Sequence, residues 1–122
     1  MSYIFECEDR SLWSPSNVVA GVFLRQLQNL VDLLGIETGF EETMGSIVEV
    51  KPNQLGHFLA ATATYLKSCD NPSLRALLRP AVIHLMVIYS RCESASPIVG
   101  STSFEDDWVA ESKQLADNGL PR

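Results

Sequence analysis

Most of the chemistry that a chain of 122 residues could carry is missing from this one. It has two histidines, His57 and His84, separated by 27 positions, so neither lies in a local signature pairing an imidazole with a nucleophile. Its three cysteines, Cys7, Cys69 and Cys92, show no Cys-x-x-Cys spacing, which removes the zinc and thioredoxin-like readings and leaves reduced, partly buried thiols. No Asp-x-Asp pattern occurs, so neither a metal nor another cofactor is expected. Gly35, Gly39 and Gly45 are scattered through an acidic stretch, the wrong charge for a phosphate loop. The first residues lack a basic start, an apolar stretch and a glycine after Met1, so the expected location is the cytoplasm. The longest apolar run, 81–89, is interrupted by His84 and is about half of the roughly 20 residues that span a bilayer. No repeat of solenoid length is present, and the one biased tract is the serine-rich stretch 94–103.

What remains is globular: apolar residues make up 46% and charged residues 20%, enough for one core without staples. The charge is unevenly laid out. Residues 1–49 hold eight acids and two bases, 50–92 one acid and five bases, and 93–122 six acids and two bases, so the blocks carry -6, +4 and -4 and sum to the net -6. A pI of about 4.7 argues against binding nucleic acid through phosphate contacts. Acidic flanks around a basic centre suit electrostatic recognition of another protein.

Alternation over 3–8 predicts a short strand with Tyr3, Phe5 and Cys7 on one face and Ile4, Glu6 and Glu8 on the other. A turn at 8–11 follows. Ser14, Pro15, Ser16 and Asn17 supply caps and a first-turn proline for a helix whose apolar stripe is Val19, Val22, Phe23, Leu27, Leu30, Val31 and Leu34, closed by Gly35. The acidic, glycine-bearing stretch 36–45 reads as a loop, and 47–51 as a second strand. Pro52 opens a second helix ending near Cys69, with His57 turned outward; Asn71 and Pro72 open a third, which Pro80 is expected to kink or break. The run 81–92 reads as helix in preference to a buried strand. Residues 94–103 read as a flexible link to a final helix, capped by Ser103 and Asp106 and running to about Asp117. The predicted architecture is a single α+β domain over 1–122, mostly helical, with about four helices and a small two-stranded sheet.

The run Tyr3-Ile-Phe-Glu-Cys-Glu-Asp-Arg10, the segment Leu12-Trp13-Ser14-Pro15-Ser16-Asn17 and the segment Phe23-Leu24-Arg25-Gln26 together resemble the start of a family of short bacterial proteins of unknown function. The segment from Val48-Glu49-Val50-Lys51-Pro52 to Phe58 is similar to that family's second strand and helix start. The resemblance covers the first half, implies an α+β fold and carries no activity or site residue with it.

Two functions compete. The first is a non-catalytic, protein-binding inhibitor, an immunity protein neutralising a bacterial toxin such as a nuclease by covering its basic surface. It places partner contacts on Glu41, Glu42, Glu105, Asp106, Asp107 and Glu111, with Trp108 as an apolar anchor or as a residue packing the last helix onto the core. The second is a small-molecule-binding or enzymatic domain, its pocket lying between 81–89 and the first helix with His84 and Tyr89 as polar groups. A homodimer through 81–89 is compatible with either.

Overall fold

A computed structural model describes residues 3–43, 45–92 and 106–120. Four strands and, among the described residues, four helices follow in order: β1 (Ile4–Cys7), β2 (Arg10–Trp13), α1 (Asn17–Leu34), β3 (Phe40–Glu42), β4 (Ile47–Val50), α2 (Pro52–Lys67), α3 (Pro72–Ser90) and α4 (Asp106–Asn118). The α+β class is as expected, but the sheet has four strands in the order β2-β1-β4-β3 where the sequence suggested two.

Both additional strands come from segments whose local signal points to turns. Glu8 and Asp9 take positive φ values of 52° and 66°, the left-handed pair of a tight hairpin, so the chain reverses in two residues and pairs again from Arg10. A register shift between Phe5 and Glu6 then lets both Leu12 and Trp13 bury, which hides the strand's alternation. The strand β3 lies within 36–45, read above as loop. Gly39, at φ 89°, turns the chain into it, where a Cβ would stand 2.9 Å from Gln54 Cβ. Strand β3 is three residues long and pairs antiparallel with β4, while β1 and β4 pair parallel across the crossover that contains α1.

Helix α1 starts on Ser16, whose hydroxyl accepts from the Val19 amide, and stops at Gly35, whose left-handed φ of 72° lets its N–H donate to Val31 O. Helix α3 starts on Asn71, whose carboxamide accepts from the Ser73 and Leu74 amides, and it runs unbroken through Pro80. Proline removes one helical donor, and the buried run Ala81–Val82–Ile83, then Leu85 to Tyr89, holds the helix beyond it. The stretch 81–89 is therefore helix. The expected link 94–103 lies outside the described residues.

The helices cover one face of the sheet. Phe5, Val48 and Val50 are buried beneath them, and Phe5 stacks on Trp13 at 5.3 Å while Phe23 meets both rings edge-on at 5.7 and 5.2 Å. Val19 and Val22 depart from the expected core stripe: with Val18 they are exposed, lining an open groove between α1 and α3.

Arg91, directly after α3, joins three elements. Buried itself, its guanidinium donates to Leu12 O of β2 at 2.7 Å and to Ala116 O and Leu120 O at the end of α4 at 2.9 and 2.6 Å. Of these acceptors Ala116 O lies in the last turn of α4, where a helix leaves its carbonyls unpaired and negatively polarised. Arg91→Met keeps apolar bulk and strands those acceptors, so stability should fall by about 3 kcal/mol or more, read as a melting temperature lower by roughly 12 °C. Hydrogen exchange should accelerate in α4 and not in α1; equal acceleration in both would refute the local role.

Candidate functional site

Acids predicted from the sequence fall into two groups on different elements. Glu41 and Glu42 are neighbours on an edge strand and point to opposite faces, so they cannot act as a carboxylate pair. Glu42 lies opposite Val48, and Glu41 lies opposite Glu49, which in turn stands beside Glu6 of β1. The register therefore aligns Glu6, Glu49 and Glu41 across three adjacent strands on the face away from the helices, where Ile4, Ser11 and Ile47 are also exposed or half-buried. Lys51 Nζ contacts Glu41 Oε2 at 3.0 Å, both side chains more than half exposed. The sequence placed Glu6 with Ile4 and Glu8 on the face opposite Phe5, but the row needs the parallel β1/β4 register, which no local pattern encodes.

On α4 Asp107 and Glu111 turn toward α3. Arg79 bonds Glu111 Oε2 at 2.6 Å and lies 3.6 Å from Asp107 Oδ2. Trp108 sits below, 3% exposed, with the guanidinium carbons of Arg79 and Arg75 at 5.4 and 5.5 Å from its ring. A ring so placed packs α4 onto α3 and presents no free surface to a partner. Glu105 and the side chain of Asp106 lie outside the described residues.

A groove of about 260 Å³ runs between α1 and α3. Trp13, Phe23 and Ala81 are its buried parts, Val18, Val19 and Val22 form one wall, Pro80 and His84 the other, and Gln26 lies at its margin. Sequence reasoning expected a pocket here with His84 and Tyr89. His84 lines it; Tyr89 does not, being buried against α2, where its hydroxyl stands 3.1 Å from the position a Cβ on Gly56 would take. The imidazole lies 5.5 Å from the Trp13 ring and 5.8 Å from Phe23, and its Nδ1 is 2.7 Å from Pro80 O. A carbonyl only accepts, so Nδ1 donates, and in the neutral ring Nε2 is left as an acceptor. His57 is exposed on α2.

The fold brings together two thiols distant in sequence. Cys7 on β1 and Cys92 after α3 are both buried and in mutual hydrogen-bonding range, whereas Cys69 is partly exposed. Burial raises the Cys7 thiol, and burial with the adjacent Cys7 pushes Cys92 up to about 12. Among the described residues no group of three or more His, Cys, Asp or Glu is arranged to hold a metal ion, and no helix is long and apolar enough to cross a membrane.

A folded-state thiol pKa above its unfolded value of 9.0 contributes stability that is present below pH 9 and lost as pH rises toward 12. From this group stability should fall by up to about 1.4 kcal/mol per pH unit in that window. Denaturant melts at pH 8, 9.5 and 10.5 should show the decline in the native chain and a shallower one in Cys92→Ala. At pH 8 a thiol reagent should label Cys69 alone; prompt labelling of Cys92 would contradict the burial.

No curated protein and no solved structure matches the chain. The model of a family of unknown function (DUF6086) matches residues 1–122, and the chain belongs to that family.

Proposed function

We propose that this protein is a non-catalytic binding domain of the cytoplasm that inhibits a basic protein partner, in its most specific form an immunity protein against a toxin such as a nuclease. The observation that carries the reading is the row Glu6, Glu49 and Glu41 on the uncovered sheet face. Like charges opposite one another on neighbouring strands cost roughly 0.2–1 kcal/mol, and Lys51 pairs with the Glu41 end of the row. A local rule broken at the surface marks a functional position.

The internal use of the chain's cations supports the same reading. Lys51 pairs with Glu41, Arg75 donates to Leu66 O, Arg79 holds Asp107 and Glu111, and Arg91 is buried, so four of the five bases in 50–92 are engaged within the fold. The glutamate face is left to meet a partner. The binding surface of this proposal is thus centred on Glu6, Glu41 and Glu49, instead of on the α4 acids and Trp108, and Glu42, which points to the other face, is not part of it. The groove beside His84 supports the competing reading of a small-molecule or enzymatic domain, but it is smaller than the roughly 300–1,000 Å³ of typical ligand pockets.

Glu49→Gln should raise stability by about 0.5 kcal/mol, visible as roughly 2 °C in melting temperature. Immobilised on a resin and exposed to lysate of the native cell, the unmodified chain should retain one stoichiometric basic protein, released by high salt and inhibited by the chain in its own assay. Glu49→Lys should fail to retain it. Undiminished retention by that variant would remove the sheet face from the proposal, and a retained partner without basic character would remove the electrostatic argument.

A further inference from the structure

The groove between α1 and α3 stands apart from the glutamate face and leads to a separate conclusion. We infer that it seats one aromatic side chain of a protein partner, a tryptophan or tyrosine whose N–H or O–H donates to His84 Nε2.

Three observations select that occupant. The first is volume: about 260 Å³ lies below the range of cofactor-sized pockets and suits a single ring system against Trp13 and Phe23. The second is polarity. The groove is lined mainly by apolar side chains, and with His84 Nδ1 committed to Pro80 O the remaining nitrogen of the neutral imidazole is an acceptor that asks for a donor. A ring that carries its own N–H or O–H satisfies that acceptor while its apolar body fills the groove.

The third is the surrounding surface. Val18 is 78% exposed, Val22 54%, and Leu77, which shares a face of α3 with Pro80, Ala81 and His84, is 72% exposed. A small molecule in the groove leaves this apolar margin in water; a polypeptide carrying the ring covers it. A second copy of this chain is a poor donor, because Trp13, Trp108 and Tyr89 are all buried, and Tyr3 and Tyr65 pack against the core.

The test uses N-acetyltryptophanamide, its 1-methyl analogue, and a capped pentapeptide with a central tryptophan between leucines, each titrated into the intact chain while valine methyl resonances are followed. N-acetyltryptophanamide should shift Val19 and Val22, and the methylated analogue, with no donor for Nε2, should bind about tenfold more weakly. His84→Leu should abolish that difference. The pentapeptide should bind more tightly than the single residue, and Val18→Ser with Leu77→Ser should remove its advantage. Equal binding of the two single-residue probes, or no methyl shift with any probe, would overturn the proposal. A pentapeptide no tighter than the capped residue would overturn the polypeptide occupant. Glu49→Lys should leave every one of these titrations unchanged, so the groove and the sheet face succeed or fail separately.

Discussion

The fold turns on one buried cation. Arg91 emerges where α3 ends, reaches β2 through Leu12 O and closes the end of α4 through Ala116 O and Leu120 O. Each acceptor is a backbone carbonyl, and the bonds to Leu12 O and Leu120 O are buried, so the charge and the three elements stabilise one another. Its position also makes the architecture possible: α4 packs chiefly on α3 and has only modest apolar surface of its own, so the charged tether complements the packing of Trp108 and Leu120. The guanidinium suits this task because its fan of donors can serve carbonyls lying in different directions, which a lysine ammonium on a flexible stem would do less well.

The alternation of charge along the sequence has a structural explanation that differs from its first interpretation. Acid, base and acid blocks suggest surfaces of opposite sign, yet the bases of the central block are largely consumed by the fold. Arg79 and Arg75 clamp Trp108 of the acidic last block, and Lys51 meets Glu41 of the acidic first block. Block pairing of this kind draws distant segments together and cancels charge at the surface, where the Lys51–Glu41 and Arg79 pairs lie. What reaches solvent is the acid excess, and the sheet concentrates part of it where β1, β4 and β3 lie side by side.

The sequence made the helices legible because their caps and stripes are local. Ser16, Gly35, Pro52, Asn71 and Pro72 mark ends by side-chain and backbone chemistry that needs no tertiary context, and α3 withstood Pro80 through its packing. Strands β2 and β3 were hidden for the opposite reason: a bulge buries two successive residues in one, and the other is three residues that gain stability only by pairing with β4. The candidate site was legible in composition and illegible in placement. Glu41 and Glu42 look like a pair until strand geometry sends them to opposite faces, and of the two roles open to Trp108, anchor or packing residue, the two guanidiniums of α3 show the second. Tyr89 was expected beside His84, but five residues along a helix carry it toward α2 instead.

The groove poses a different constraint, one set by the aromatic cluster beneath it. Trp13, Phe5 and Phe23 interlock at 5.2 to 5.7 Å, and this rigid base leaves no side chain free to swing up and fill the space above. His84 cannot relax into it either, because Pro80 O holds Nδ1 and the two rings fix the imidazole plane. Filling such a space from within would need a larger residue at Ala81 or Val22; from outside it needs only a ring. Val18 and Val22 remain in water at the first turns of α1 although nothing in helix formation requires valine there, and β-branched residues are mediocre helix formers. Neither propensity nor core packing accounts for them. An apolar, preformed surface whose exposed valines neither helix propensity nor core packing explains fits the proposal that another molecule completes it.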